Sequence, residues 1–248
     1  MSLSCKQMFR LTLLILAATG AHAIVVNIHI THHAGTTLCA WARTNVRVPA
    51  FACLAGGTED KNVTAWSGTY DLISWEYQDA PKPSLSTVNW EDPNIVSVLI
   101  ARHPMDRLLS GDGAYGPFGV VPRRLRAVRS EKQWWDFAQT YFANNYALHI
   151  LADGDHSDRG LVRAKKLCNR FTYILDQACL DANLKVLANR LGWDKPLAEE
   201  DTPGGHTVHR DARTRIHNDE VWRFLVKQNK NDIALYKWLK TKSLVRCS

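Results

Sequence analysis

Residues 24–37 read Ile-Val-Val-Asn-Ile-His-Ile-Thr-His-His-Ala-Gly-Thr-Thr. The first seven are an apolar, β-branched run, the pattern of a strand buried on both faces. A glycine-bearing turn follows at Ala34-Gly35-Thr36-Thr37, and Leu38 to Arg43 continues in helix-compatible residues. Val96 to Ala101 (VSVLIA) is a second strand of the same kind, ending at Arg102-His103-Pro104. Pro104 opens a helix at its first turn, and Met105 to Ser110 fits that helix. Phe171 to Leu175 is a third short strand, and Asp71 to Glu76 reads as another. Glu131 to Leu151 is a long amphipathic pattern carrying Trp134, Trp135, Phe137, Tyr141 and Phe142. Asp181 to Leu191 reads as a helix stopped at Gly192, and Asn218 to Lys242 as a final helical stretch with a break near residues 229–231. Strands separated by helices predict an α/β fold in one domain: a central parallel sheet with helices on both faces.

At 248 residues, 46% hydrophobic and 22% charged, the chain can bury a sizeable core, and global disorder is excluded. No stretch of 18 purely apolar residues occurs, which excludes a polytopic membrane protein. Residues 1–23 read as a secretory signal peptide: basic Lys6 and Arg10, the apolar run Leu11 to Ala18, and the small-x-small site Ala21-His22-Ala23. An uncleaved signal anchor is the alternative, and only then is a membrane a partner. Residues 24–248 form the folded domain. Cleavage lowers the net charge from +7 to +5, 29 basic against 24 acidic residues. That surplus suits polyanionic partners without choosing among them. Asn62-Val63-Thr64 is a glycosylation sequon, and five cysteines remain after cleavage, enough for two disulfides. Cys39–Cys53 and Cys168–Cys179 are the pairs nearest in sequence. The absence of a CxxC pair argues against zinc.

A parallel sheet binds ligands beyond the carboxyl ends of its strands. The turn after the first strand, leading into a helix, offers backbone N–H groups and the positive end of the helix dipole to an anion. Thr36 and Thr37 add hydroxyls, and His32 and His33 add charge if protonated. The P-loop pattern G-x-x-x-x-G-K-[ST] is absent, which disfavours an ordinary nucleoside triphosphatase. The plainer alternative is that Thr36 only caps the helix and Gly35 only allows the turn. Arg102, past the second strand, and Ser110, about two helical turns on, supply a guanidinium and a hydroxyl for a second phosphate. The alternative for Arg102 and Arg107 is surface pairing with Asp106 or other carboxylates.

Residues 29–38, His-Ile-Thr-His-His-Ala-Gly-Thr-Thr-Leu, resemble the opening loop H-[IV]-x-K-[TS]-[GA]-G-T-[TS] of the carbohydrate sulfotransferases. Residues 98–111, Val-Leu-Ile-Ala-Arg-His-Pro-Met-Asp-Arg-Leu-Leu-Ser-Gly, resemble the family's second signature, L-R-[DH]-P-x-x-R-[LF]-x-S. Residues 145–152 are similar to a later N-x-Q-x-x-x-L-[AG] segment, and residues 231–236 to an N-x-x-D-x-x-L-Y near the family's C-terminus. The nearest branch is that of the heparan sulfate O-sulfotransferases. The resemblance implies a P-loop-like sulfotransferase domain. It implies transfer of a sulfuryl group from 3′-phosphoadenosine 5′-phosphosulfate (PAPS) to a hydroxyl of a polysaccharide or glycoprotein glycan, without a metal. His33, Ala34, Gly35, Thr36 and Thr37 would hold the 5′-phosphosulfate, and Arg102 and Ser110 the 3′-phosphate.

The departures concern the chemistry. The family's loop lysine, which touches the leaving oxygen, is His32 here. The heparan sulfate enzymes use a histidine base between the two phosphate motifs, yet residues 34–102 contain none. Glu76 is the substitute and Asp71 the second choice, each with an ordinary surface carboxylate as its alternative. The loop at residues 203–215 is basic and glycine-led. Arg210, Arg213 and Arg215 are candidates for closing over the nucleotide or for holding an anionic acceptor. Arg123, Arg124 and Arg126 read as a solvated face or an acceptor track. Trp66, Trp75 and Trp90 are the candidates for stacking on sugar, whereas Trp134, Trp135, Trp222 and Trp238 fit core positions. The expectation is a sulfotransferase in the Golgi lumen or secreted, with a glycan partner and no nucleic acid. A non-catalytic protein that binds nucleotide or glycan is the alternative.

Overall fold

In a computed structural model of the chain, the described residues are 23–48, 69–77, 79–110, 131–196, 213 and 216–247, with the side chains of 75, 109, 110 and 133 left aside. Four strands form one sheet: β1 (Ile24–Ile30), β2 (Leu72–Tyr77), β3 (Ile95–Ala101) and β4 (Tyr173–Asp176). Their order is β2-β1-β3-β4, and all three pairings are parallel. β1 therefore has its two successors on opposite sides, which makes the crevice between β1 and β3 the switch point of the sheet.

β1 is buried along its whole length because both faces are covered. On one face Val25, Leu72, Val98, Ile100 and Leu175 meet Leu38 and Ala42 of α1 (Gly35–Asn45) and Leu184, Leu187 and Ala188 of α6 (Leu180–Leu191). On the other, Val26, Ile28, Ile30, Leu99 and Ile174 meet α4 (Tyr146–Leu151), α5 (Asp158–Cys168) and α8 (Lys230–Lys240). Burial of β-branched side chains on two faces is the main stabilising contribution, at about 1.5–3 kcal/mol per large residue. A third cluster joins α2 (Pro104–Ser110), α3 (Glu131–Ala138) and α7 (Asp219–Gln228) through Met105, Leu108, Trp134, Phe137, Val221 and Leu225. No described helix is long and apolar enough to cross a membrane.

Several expectations change. The 131–151 pattern is not one element: a 3-10 turn (Tyr141–Ala143) separates α3 from α4. The third strand lies two residues later at its start, at Tyr173–Asp176. Helix α5 carried no clear sequence signal; Ser157 caps it by accepting from the Gly160 amide. Cys168 does not pair with Cys179 and is instead a buried free thiol. Cys179 pairs with Cys247, 68 residues away, closing the C-terminal segment onto the end of β4. Cys39 is also disulfide-bonded, and Cys53, its expected partner, lies outside the described residues. So do the sequon at Asn62 and the signal segment up to residue 22.

The turn between α3 and α4 is set from far along the chain. Asn145, in the left-handed region at φ 44°, accepts at its side-chain oxygen from the Asn231 and Asp232 amides. Asp232 in turn accepts from the amides of Ala147 and Leu148, the first turn of α4. Asn229 accepts from the Asn145 amide and donates to the Ala143 carbonyl. The two late segments singled out in the sequence thus cap each other, satisfying helix-start donors that would otherwise stay unpaired.

Candidate functional site

The site lies at the carboxyl ends of β1, β2 and β3. After Ile30 the chain turns sharply: His32 and Ala34 are in the left-handed region, at φ 66° and 60°. Each such conformation costs a non-glycine residue of order 1 kcal/mol, so the turn is held by its surroundings. Three contacts hold it. The Arg102 guanidinium donates to the His32 carbonyl at 2.7 Å. His33 Nδ1 donates to the Ile100 carbonyl at 2.9 Å. Thr31 donates from its hydroxyl to the Tyr77 carbonyl at 2.9 Å. The loop after β1 is thereby tied to β3 on one side and β2 on the other.

Ala34 precedes α1, and no side chain caps the helix start. Thr36 is therefore not its cap; its side chain is exposed and that of Thr37 is half-buried. The Thr37 amide turns back onto the Ala34 carbonyl at 3.1 Å; the other amides of a first helical turn have no acceptor inside the helix, so this start presents donors and a partial positive charge. Gly35 has a second reason to be glycine. A Cβ there would fall 2.2 Å from the His29 ring, so the helix can approach β1 this closely only without a side chain.

Burial governs the charges. His29 is held near pKa 4, first by burial and then by His32. His33 lies well below the usual imidazole range because it is fully buried, an effect the Ile100 carbonyl only partly offsets. Both are neutral at pH 7, so His33 supplies a tether and no positive charge. His32 is half-buried. Arg102 is 9% exposed and Arg107 4%. Burial lowers both to about 10, so both stay cationic at neutral pH. The Arg102 Nε is buried without a hydrogen-bond partner, a costly state that an anion or a water would relieve. Arg107 does not pair at the surface with Asp106. It sits over the Tyr146 ring at 4.1 Å and donates to the Phe142 carbonyl.

Glu76 stands across from His29 in the β1–β2 register. Burial raises its carboxyl above the ordinary range. The Thr31 hydroxyl beside it pulls the other way, but that single proton goes to the Tyr77 carbonyl, so burial dominates. Tyr146 donates to the same carbonyl at 3.2 Å and senses the Glu76 charge. A half-buried carboxyl thus stands with two hydroxyl side chains at the sheet edge where the turn opens. A narrow pocket between β3 and α8 is lined by His33, Arg102, Arg107, Asp232 and Tyr236.

The structure brings together His32, His33, Ala34, Gly35, Thr36, Thr37, Arg102 and Glu76. Ser110 is the last residue of α2, whose backbone alone is described. Arg210 and Arg215 lie outside the described residues, as do Arg123, Arg124, Arg126 and Trp66. Arg213 is committed elsewhere, to the Ile216 carbonyl and Asp219. Asp71 immediately precedes β2, at the end of the strand opposite Glu76, and is clamped by Arg47 at 2.9 Å, so it is no base for this site. Trp90 is 2% exposed and donates to the Leu85 carbonyl, a core residue unavailable to sugar. Thr31, Tyr146 and Arg107 join the site without having been singled out for it. All three stand inside the quoted motifs, Thr31 in the first loop, Arg107 at the second arginine of the second signature and Tyr146 in the 145–152 segment, but no site role was drawn from them there. No family model, no curated protein and no solved structure matches this chain.

Proposed function

We propose that this protein is a PAPS-dependent sulfotransferase acting on a glycan hydroxyl in the secretory pathway, built on a P-loop-like sulfotransferase fold. The observation that carries this reading is the clasp between Arg102 and the His32 carbonyl, which joins the loops after β1 and β3 at the switch point of a parallel sheet. Such a crevice favours nucleotides, and a buried cation beside an uncapped helix start favours phosphate and sulfate. The residues fit such a donor: the orphaned Arg102 Nε asks for an acceptor, and the start of α1 beside it carries no side-chain cap. The Cys179–Cys247 disulfide is consistent with an oxidising compartment.

The donor supplies an activated sulfuryl group. The chain's own residues then have separate tasks. The amides opening α1, with Thr36 and Thr37, bind anionic oxygens, and Arg102 adds fixed positive charge. Glu76 takes the proton of the attacking hydroxyl; its raised pKa makes it a stronger base than a solvated carboxylate. His32 donates a hydrogen bond where charge develops on the leaving oxygen.

The test is turnover of PAPS by the 248-residue chain with a panel of glycans. Arg102→Ala and Glu76→Gln are each expected to lower the rate by about 100-fold. Unchanged turnover in Arg102→Ala contradicts the assignment. A second reading, a binding protein without turnover, is favoured by one observation: with His29 and His33 neutral, the loop lacks the fixed charge of a lysine. Activity that arises only in His32→Lys supports that reading.

A further inference from the structure

We propose that Tyr141, with the Asp79–His149 pair beside it, seats a neutral pyranose ring of the acceptor. The inference rests on the function proposed above and names the part of the acceptor that this rim takes. Among the described residues two large apolar side chains stand exposed, Tyr141 at 47% and Val162 at 67%. Val162 is an isolated position on α5. Tyr141 is held: its ring packs on Phe142 at 4.0 Å and against His149 at 5.6 Å between centroids. An exposed aromatic ring fixed from behind offers a flat apolar surface with little entropy left to lose. The C–H faces of a pyranose match such a surface.

The polar part of the subsite is equally ordered. His149 is held at both ring nitrogens, by Asp79 at 2.6 Å and by His156 at 3.2 Å. Asp79 uses one oxygen for His149 and for the Ala80 amide, while its side chain is 81% exposed. The second oxygen is left to accept from sugar hydroxyls. The His149 contact and then the Ala80 amide hold this carboxyl below its ordinary range, so it is ionised at neutral pH. A fixed negative charge here accepts from a neutral sugar and repels a uronate or a sulfated one.

Position links this rim to the chemistry. Tyr146 lies 6.4 Å from Tyr141, centroid to centroid, and its hydroxyl reaches the Tyr77 carbonyl beside Thr31 and Glu76. A ring seated on Tyr141 places its neighbour in the chain toward the Glu76 carboxyl.

The test titrates the 248-residue chain with triacetylchitotriose, lactose and mannotriose as neutral probes and with an unsulfated chondroitin tetrasaccharide as the uronate probe. Adenosine 3′,5′-bisphosphate is titrated in parallel. At least one neutral probe is expected to bind in preference to chondroitin. Tyr141→Ala should weaken it about tenfold while Tyr141→Phe retains it. Asp79→Asn should narrow the preference against chondroitin. Equal affinity in Tyr141→Ala, binding of no neutral probe at millimolar concentration, or preference for chondroitin overturns the subsite. Nucleotide affinity should be the same in all three variants. Loss of nucleotide binding in the parent chain, with Tyr141-dependent sugar binding intact, rejects the sulfotransferase reading and leaves the sugar site standing.

Discussion

The His29 ring occupies the space into which a side chain at Gly35 would have to project, with Cδ2 and Cγ each 2.2 Å from an ideal Cβ. Strand β1 and the start of α1 are locked by that contact, and the turn at residues 31–34 lies between them. Gly35→Ala is therefore expected to destabilise the fold by about 2–3 kcal/mol, since buried overpacking typically costs 1–3 kcal/mol. His29→Ala in the same chain removes the clash, so the double variant should recover part of the loss. Chemical denaturation of the three variants reads this directly. Additive losses in the double variant contradict the packing account.

Two buried groups oppose each other in their response to acid. His29 has its folded pKa lowered from 6.5 to about 4, so its contribution is complete above pH 6.5 and is lost as pH falls toward 4. The shift is worth about 3 kcal/mol. Asp232 has its folded pKa raised from 3.8 to about 6 by burial, so its effect has the other sign: stability falls as pH rises from 3.8 to 6. The two largely cancel, while His33 adds a loss on the acid side. Melting temperature measured between pH 4 and 7 should fall with acid more steeply in Asp232→Asn and less steeply in His29→Gln. Identical slopes in parent and variants refute the assignment.

Glu76 carries the proton account. Its raised pKa predicts that the acid limb of the pH–rate profile lies above the ordinary carboxylate range, because the base works only when ionised. Glu76→Gln should lower kcat by about 100-fold and remove that limb. Asp71→Asn should leave the profile in place, since Asp71 is clamped by Arg47 at the opposite end of β2. A limb that survives Glu76→Gln assigns the base elsewhere.

The mutual caps of α4 and α8 give a structural prediction. Asn145→Ala withdraws acceptors from the Asn231 and Asp232 amides and forces alanine into the left-handed region. The cost should be about 2–4 kcal/mol, seen as a lowered denaturation midpoint. Asn145→Gly relieves the backbone and should cost measurably less. Equal losses in the two show that backbone conformation contributes nothing there.

What was legible in the sequence was what local physics decides. β1 and β3 read correctly because strands buried on both faces are continuous β-branched runs. Pro104 and Gly192 marked a helix start and a helix end for reasons of backbone geometry. Residues 131–151 misled because the break at Asn145 is made by Asn229, Asn231 and Asp232, 84 to 87 residues away. Cysteine spacing misled for the same reason: Cys179 bonds across 68 residues. In the site, Glu76 and Arg102 were visible as polar ends of strands. Tyr146 and Arg107 stood inside quoted motifs, but their pairing, the guanidinium over the ring, comes from tertiary packing between segments about 40 residues apart in sequence.

The central claim is that the turn between β1 and α1, clasped by Arg102, binds a nucleotide bearing a 3′-phosphate. The most direct measurement is calorimetric titration of the 248-residue chain with adenosine 3′,5′-bisphosphate, with 5′-AMP as control. The account predicts saturable binding of the bisphosphate, at least tenfold tighter than 5′-AMP, and loss of that difference in Arg102→Ala. Equal affinity for the two nucleotides, or no binding of either by folded protein, would contradict it.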